Sequence, residues 1–229
     1  YKRQSSGSAD VLEAAGVKLD ITPDQVAQCV NELGVGFMFA LMHHSAMRHV
    51  SLARRELGLR TLFNVLGPMA NPAGLKQQLI GVYDRALCRP VAQVLQRLGS
   101  EHVLVVHSED GLDEISLAAD THVAELKGGV VSEYKLEPEQ LGFERQGMQD
   151  LVVDGVEQSL QLITSALAGE KDSRSQRAAI MIALNAGAAL YVAGVAASIA
   201  DGVNTANGIL ANGAGLEKLQ QLAAMTRSF

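Results

Sequence analysis

The chain contains no tryptophan, two cysteines and five prolines, and only 4% of its residues are aromatic. Two cysteines far apart in sequence, with no Cys-x-x-Cys spacing, argue against a disulfide scaffold and a thiolate zinc site and fit a reducing, cytoplasmic setting. Basic residues are fewer than acidic ones, 19 against 25, which gives a formal net charge of −6. This balance disfavours a surface built to hold nucleic acid or an anionic membrane.

Small apolar side chains are abundant. Hydrophobic residues make up 48% of the 229 positions, enough for a sizeable buried core. One uncharged run, residues 178–200, is long enough to suggest a membrane span. Because Asn185 and Gly187 interrupt it and Gly194 is expected to end its helix, we interpret it as a central core helix. No repeat or linker divides the chain, which predicts one α/β domain over 1–229.

Hydrophobic spacing and local breakers predict the order of helices and strands. Helices are expected from the N-cap Ser8, from Thr22–Pro23 to Leu33, and over 42–57, 86–98, 156–167, 175–195 and 216–225, with a tight loop over 64–72. Short apolar runs over 79–83 and 103–106 are predicted strands, and their connection through a helix predicts that they are parallel.

Alternating segments over 121–127 and 130–135 flank Gly128 and Gly129, which is typical of an antiparallel hairpin. Added to the parallel pair, this hairpin completes the predicted fold class. That class is α/β, with a mixed, mostly parallel sheet flanked by helices.

Arg54 is the most unusual position of the helix predicted over 42–57. Spacing at 100° per residue puts it inside the apolar sector, between Met47 and Val50. A guanidinium there requires an anion, because arginine does not lose its charge. That anion is either a bound ligand or a carboxylate of the protein itself. In the second case Arg54 forms a structural salt bridge. A further structural alternative is that its side chain reaches past the edge of the core into solvent.

Two adjacent histidines, His43 and His44, point about 100° apart on a helix and therefore do not chelate one metal ion. His44 could line a pocket beside Met47, and an ordinary surface histidine is the alternative. Gly67 could let the backbone approach a flat ligand closely, or simply make a turn. Ser8 could hold a phosphate at a helix N-terminus, or only cap the helix.

Four carboxylates follow the predicted strand over 103–106: Glu109, Asp110, Asp113 and Glu114. Open parallel sheets place their ligands at the carboxyl ends of strands. Oxygen ligands without nearby histidine or cysteine favour Mg²⁺, which one or two carboxylates hold together with phosphate oxygens and water. A solvated acidic turn is the alternative.

Three passages together resemble the anthranilate phosphoribosyltransferase family. They are Gly-Ser-Ala-Asp-Val-Leu-Glu over 7–13; His-Ser-Ala-Met-Arg-His-Val over 44–50, continuing through 54–58 to Arg-Thr-Leu-Phe-Asn-Val-Leu-Gly-Pro over 60–68 and Asn-Pro at 71–72; and Val-Val-His over 105–107 with Asp-Gly-Leu-Asp-Glu over 110–114. The resemblance covers essentially the whole chain from Gly7. It implies the large α/β domain of the nucleoside phosphorylase and phosphoribosyltransferase type.

The resemblance implies transfer of the phosphoribosyl group of phosphoribosyl pyrophosphate to the amino group of anthranilate, a Mg²⁺-dependent step of tryptophan biosynthesis. Its implied site residues are Arg54 for the anthranilate carboxylate, His44 and Met47 along the anthranilate path, Gly67 beside the aromatic ring, Ser8 for phosphoribosyl pyrophosphate, and Asp113 and Glu114 for Mg²⁺. It also implies a homodimer of the full-length protein, while the net charge of −6 disfavours nucleic acid or a membrane as partner.

Three family features are not matched: a small N-terminal helical domain, a Gly-Thr-Gly-Gly-Asp loop and a Lys-His-Gly-Asn-Arg strand. We therefore expect the 229-residue chain alone to be weakly active or inactive. Two other functions remain open. One is a pyrimidine nucleoside phosphorylase, and the other is a non-catalytic homologue of the same fold that binds nucleic acid.

Arg54→Ala tests the anion partner of this arginine in the full-length protein. We expect the anthranilate concentration for half-maximal activity to rise far more than that of phosphoribosyl pyrophosphate, because only the anthranilate carboxylate would lose its partner. Steady-state kinetics with each substrate varied in turn measures this. Equal effects on both substrates would instead indicate a structural arginine.

Overall fold

The computed structural model of the chain describes residues 7–43, 67 and 69–229. These residues form two compact units. The helical unit consists of residues 7–43, 152–176 and 210–229, and the sheet unit of residues 67, 69–151 and 177–209.

In chain order the elements are α1 (Ser8–Ala14), α2 (Pro23–Leu33), α3 (Ala40–His43), β1 (Gln77–Gly81), α4 (Cys88–Arg97), β2 (His102–Ser108), β3 (Thr121–Lys127), β4 (Val130–Leu136), α5 (Val156–Leu167), α6 (Ser173–Val192), α7 (Ile199–Ala211) and α8 (Ala214–Arg227). Short 3₁₀ turns at Arg85–Leu87, Pro138–Leu141 and Gln149–Leu151 connect some of them.

The helical unit begins its helices through local caps. At α2 the Thr22 hydroxyl accepts a hydrogen bond from the Gln25 N–H, and the Gln25 side chain accepts one from the Thr22 N–H. Gly34 ends the helix at a φ of +77°, which favours glycine. The predicted helix from Thr22–Pro23 to Leu33 is thus confirmed.

The first helix corrects one expectation. Gly7, not Ser8, is the N-cap of α1, with the extended backbone that a cap adopts, and its N–H donates to the Asp10 carboxylate at 2.8 Å. Ser8 is therefore the first helical residue. An aspartate in the first turn, which reaches back to the chain before the helix, moves the cap one position upstream.

The core of the helical unit lies between α2 and α8. Its buried residues are Val17, Ile21, Val26, Cys29, Leu222 and Ala223. The predicted helices over 156–167 and 216–225 correspond to α5 and α8, of which α8 is two residues longer at each end.

The sheet unit contains four strands in the order β1-β2-β3-β4. β1 and β2 are parallel, with Gln77 paired to His102, whereas β2–β3 and β3–β4 are antiparallel. The mixed sheet with flanking helices is confirmed. Within the described strands only one of three pairings is parallel, because the β3–β4 hairpin occupies the side of β2 away from β1.

The hairpin forms as its sequence predicts. Gly128 and Gly129 have φ values of +57° and +76°, so both central residues of the two-residue turn adopt conformations that favour glycine. β1 extends over residues 77–81 instead of the predicted 79–83, because its pairing with β2 starts at Gln77.

Helix α4 covers one face of the sheet. The buried residues of this layer are Ile80, Val82, Cys88, Val91, Ala92, Leu95, Val103, Val105, Ala124 and Leu126. Cys88 has no exposed surface, and burial, followed by the negative charge of Glu133, raises the pKa of its thiol to about 11. Cys29 is equally buried in the helical unit.

Helices α6 and α7 cross in the sheet unit with their backbones in contact. A Cβ on Gly202 would lie 2.1 Å from the Gly187 carbonyl oxygen, and a Cβ on Gly187 would lie 2.4 Å from the Val203 nitrogen. Only glycine fits at these two positions. The sequence does not predict α7, because its glycines, asparagines and threonine have low helix propensity.

The predicted core helix over 175–195 corresponds to α6, which ends at Val192 before Gly194 at a φ of +74°. No helix in the described residues has both the length and the apolarity required to cross a bilayer.

Gly202→Ala tests the crossing of α6 and α7. The added methyl group overlaps a carbonyl oxygen, so we expect the free energy of unfolding to fall by about 2 to 3 kcal/mol, the upper range for overpacking. Urea titration followed by circular dichroism measures it. Gly208→Ala in the same helix is the matched control: its Cβ meets no described atom within 4 Å, and alanine should be neutral or stabilising. Equal effects of the two substitutions would contradict this account.

Candidate functional site

The acidic loop, residues 108–114, begins at the last residue of β2. The Ser108 N–H donates to the Leu112 carbonyl at 2.9 Å, and the Gly111 N–H donates to the Ser108 carbonyl at 2.9 Å. Gly111 has a φ of +91°. The loop therefore turns sharply at the carboxyl end of a strand in a parallel pair, where sequence analysis expected a ligand site.

Two of the four acidic side chains in this loop have protein partners. Glu109 forms an ion pair with Lys135 of β4 at 2.6 Å. Asp110 accepts a hydrogen bond from the Ser116 hydroxyl at 2.6 Å and a longer one from the Leu112 N–H at 3.4 Å. These carboxylates therefore stabilise the loop itself.

Asp113 and Glu114 are different. Both are exposed, and within the described part of the chain no hydrogen bond or ion pair engages either carboxylate. Although Glu114 keeps contact with solvent, partial burial of its carboxyl raises its pKa, and the negative charge of Asp113 raises it further. A cation placed between them would relieve this repulsion.

The backbone around these two carboxylates is closely packed. A Cβ on Gly81, the last residue of β1, would lie 1.6 Å from the Asp113 carbonyl oxygen. After Glu114, the Ile115 N–H donates to the Asn185 side-chain oxygen at 2.9 Å, and the Asn185 amide donates to the Ile115 carbonyl at 3.0 Å. Neither contact is predicted from the sequence, in which Asn185 is only an interruption of an apolar run.

The carboxylates of Asp113 and Glu114 suit Mg²⁺ only if other groups complete its coordination. No group of three or more His, Cys, Asp or Glu side chains suited to a metal occurs in the residues that the structure describes. Two carboxylates without a partner among the described side chains match the way in which Mg²⁺ is commonly held, by few protein ligands together with phosphate oxygens and water.

Cations near this loop already have acidic partners. Asp120 accepts hydrogen bonds from Arg145 at 2.7 Å and from Lys135 at 3.4 Å, and these bonds hold the pKa of its carboxyl below the ordinary value. Arg145 also pairs with Glu139 at 3.1 Å. None of these pairs is predicted from the sequence, because they join positions up to 25 residues apart.

The remaining predicted site residues are in three different situations. Ser8 is exposed at the start of α1 in the helical unit. Gly67 belongs to the sheet unit, has helical backbone instead of the predicted tight loop, and has open space where a Cβ would lie, as far as the described atoms show. His44, Met47 and Arg54 lie outside the described residues, so their roles stay predictions.

Glu114→Gln tests the electrostatic cost of the acidic pair. Because the folded pKa of Glu114 lies above its ordinary value of 4.5, the ionised carboxylate destabilises the fold at neutral pH, and this cost disappears once the group is protonated below 4.5. We expect the neutral amide to raise the free energy of unfolding at neutral pH by less than about 1 kcal/mol, since the group is partly solvated.

Urea titrations of this variant in the presence of a chelator, at neutral pH and below pH 4.5, measure the effect. Glu109→Gln in the same loop is the control. It removes an ion pair with Lys135 and should lower the stability or leave it unchanged. A stabilising effect of Glu114→Gln that persists at low pH would contradict this account.

Comparison with known proteins places this chain in a family. The model of the glycosyl transferase family, a/b domain, matches residues 3–216. An anthranilate phosphoribosyltransferase of Pseudomonas entomophila is 59% identical over 224 residues, which are 98% of this chain and 64% of that protein. One from Cellvibrio japonicus is 57% identical over 97% of this chain and 65% of its own length. The chain thus spans slightly less than two thirds of these relatives.

Solved structures give the same result. A crystal structure of anthranilate phosphoribosyltransferase from Thermus thermophilus has a TM-score of 0.88 and 40% identity, with 99% of this chain and 67% of that chain covered. A Saccharomyces cerevisiae enzyme of that name, in complex with phosphoribosyl pyrophosphate and Mg, has a TM-score of 0.84 at 24% identity, over 97% of this chain and 63% of that chain, and shows the shared fold. The resemblance found in the sequence is confirmed, and the chain belongs to the glycosyl transferase family through its α/β domain.

Proposed function

We propose that the protein containing this chain transfers the phosphoribosyl group of phosphoribosyl pyrophosphate to the amino group of anthranilate, with release of pyrophosphate. The observation that carries this proposal is the 59% identity to an anthranilate phosphoribosyltransferase over 98% of the chain. The acidic loop supports it, because two carboxylates without a described protein partner suit a metal that is shared with a diphosphate.

In this proposal Asp113 and Glu114 hold Mg²⁺. The yeast enzyme of the same fold was solved with phosphoribosyl pyrophosphate and Mg. A bound divalent ion neutralises the negative charge that develops on a leaving pyrophosphate. The chain's own contribution is to present two adjacent carboxylates on one loop with no protein partner among the described residues.

The other proposed roles follow the resemblance. Arg54 pairs with the anthranilate carboxylate, His44 and Met47 line the path of anthranilate, and Gly67 lies beside its ring. Ser8 contacts phosphoribosyl pyrophosphate. No described atom lies within 4 Å of a Cβ placed on Gly67, which is compatible with close approach of a flat ring.

The chemistry requires little from acid or base groups. The amino group of an arylamine is unprotonated near neutral pH, so no strong general base is needed to create the nucleophile. The site has to align that nitrogen with the anomeric carbon and to stabilise the leaving group. The histidines of the described sheet serve structural bonds instead, as His107 contacts the Val82 carbonyl at 2.8 Å.

The wider context belongs to the same proposal. We propose that 1–229 forms the large α/β domain, that the full-length protein is a homodimer, and that it works in the cytoplasm in tryptophan biosynthesis. A nucleoside phosphorylase would use phosphate as the nucleophile at the same anomeric carbon, and no observation on this chain favours it. A nucleic-acid-binding homologue would need a basic face, which the net charge of −6 disfavours.

Complementation tests the activity directly. The complete gene that encodes this chain should restore growth without tryptophan to a bacterial strain that lacks its own anthranilate phosphoribosyltransferase. The purified product should consume anthranilate only when phosphoribosyl pyrophosphate and Mg²⁺ are present. Cleavage of thymidine with phosphate, or a gel shift of single-stranded DNA at modest salt without transferase activity, would instead support one of the two alternatives.

Asp113→Ala combined with Glu114→Ala tests the metal assignment in the complete protein. We expect the activity to lose its dependence on Mg²⁺ concentration and to fall by at least about a hundredfold, because charge stabilisation of this kind is commonly worth that much. Glu109→Ala is the matched control, since this acid of the same loop pairs with Lys135. A Mg²⁺ response that survives in the double variant would show that the loop is only a turn.

A further inference from the structure

The segment that follows the two proposed metal ligands is buried along α6. Ile115, Ser116 and Leu117 are 2%, 1% and 0% exposed, respectively. Their backbone polar groups therefore need partners inside the protein. Side chains of α6 provide several of them, because the Leu117 N–H donates to the Met181 sulfur at 3.3 Å and Asn185 engages Ile115.

Asn185 binds both backbone groups of one residue. Its side-chain oxygen accepts from the Ile115 N–H at 2.9 Å, and its amide nitrogen donates to the Ile115 carbonyl at 3.0 Å. A neighbouring β-strand would engage the chain in the same way. The amide also donates to the Met181 carbonyl of its own helix at 3.1 Å, which fixes its orientation.

An asparagine in the middle of a 20-residue helix has lower helix propensity than most residues. Its double hydrogen bond to a loop explains why it is there. A neutral amide also suits its place beside Asp113 and Glu114, because an acidic residue would add a third negative charge and a basic one would compete with a metal ion.

The other side of the acidic pair is fixed by close packing. A Cβ on Gly81 would overlap the Asp113 carbonyl, with a separation of only 1.6 Å. Any side chain at this position would therefore push the backbone of Asp113 away from the end of β1. Gly81 contacts the backbone of Asp113, the residue before Glu114, and Asn185 binds the backbone of Ile115, the residue after it.

Helix α6 is a fixed support for this contact. The Tyr191 hydroxyl donates to the Glu125 carboxylate of β3 at 2.7 Å, and Lys127 donates to the same hydroxyl at 2.9 Å. Asn185 lies six residues before Tyr191, about 9 Å along the helix axis. The sheet therefore sets the position of α6, and α6 sets the position of Ile115.

We infer that Asn185 and Gly81 are positioning residues that fix the direction of the Asp113 and Glu114 carboxylates for a divalent cation. The inference rests on the proposed role of these two carboxylates as metal ligands. Neither Asn185 nor Gly81 contacts the metal ion. They act through the backbone on each side of Glu114.

The experiment measures the binding of Mn²⁺, as a paramagnetic substitute for Mg²⁺, to the 229-residue chain without any added chelating anion. Free Mn²⁺ is quantified by electron paramagnetic resonance. Asn185→Ala removes both bonds to Ile115 while it raises helix propensity, so α6 should persist. We expect the Mn²⁺ dissociation constant to rise about ten- to hundredfold, as is usual when a group behind the metal ligands is removed.

Asn204→Ala is the matched control, because Asn204 is an exposed asparagine of α7 that no hydrogen bond among the described residues joins to the loop. It should leave the dissociation constant unchanged. Asn185→Leu, which keeps the side-chain volume, and Gly81→Ala are further variants that should weaken binding in the same direction. Circular dichroism identifies the variants that remain folded, and only these are compared.

Asp113→Asn combined with Glu114→Gln distinguishes the metal assignment of these two carboxylates from the positioning role of Asn185 and Gly81. If this double variant loses Mn²⁺ while folded Asn185 and Gly81 variants bind as tightly as the parent chain, the positioning role is refuted and the metal assignment stands. If the double variant binds Mn²⁺ as the parent does, the metal assignment fails, and the positioning role fails with it. Weaker binding in the Asn185 variants together with loss in the double variant supports both.

Discussion

Two adjacent carboxylates that repel each other are held in place by contacts to the backbone around them, and this constraint explains how the acidic loop is built. Asp113 and Glu114 have no described internal partner, whereas Glu109 pairs with Lys135 and Asp110 with Ser116. The loop is therefore fixed through its backbone and its outer acids. Uncharged contacts to the main chain keep the loop in place and leave the carboxylate oxygens available for a ligand.

Close backbone contacts at glycine recur in the sheet unit. Gly81 allows the end of β1 to touch the acidic loop, and Gly187 and Gly202 allow α6 and α7 to cross in contact. Each contact joins segments that are distant in sequence. Because α6 is also bound to β3 through Tyr191, its uncharged surface is used for packing on several sides. This explains why an Ala- and Gly-rich run without charge belongs to a core helix.

Sequence reasoning succeeded where the determining signals are local. The capped start of α2, the Gly-Gly hairpin and the β1-α4-β2 unit all depend on residues that are neighbours in the chain. It failed where a distant contact decides. The helix α7 has poor intrinsic propensity and is stabilised by its packing on α6, and the partner of Asn185 lies 70 residues away in sequence.

For the candidate site, too, sequence signals predict the local features and not the distant contacts. The position of the acidic loop after β2 followed from strand order, but the patterns did not distinguish the two acids without partners from the two that stabilise the loop. That distinction came from the family resemblance, and the structure adds the ion pair and the hydrogen bond that occupy the others. The proposed anthranilate residues Arg54, His44 and Met47 lie outside the described residues and stay predictions.

The two cysteines have a practical consequence. Both thiols are fully buried, and burial raises the pKa of each, so the native protein presents two protonated sulfurs that electrophilic dyes do not reach. A third cysteine introduced at an exposed position would thus be the preferred attachment point for a fluorophore, with both native residues left in place. Fluorescence from such a dye near the acidic loop would then test in solution whether a divalent ion binds there.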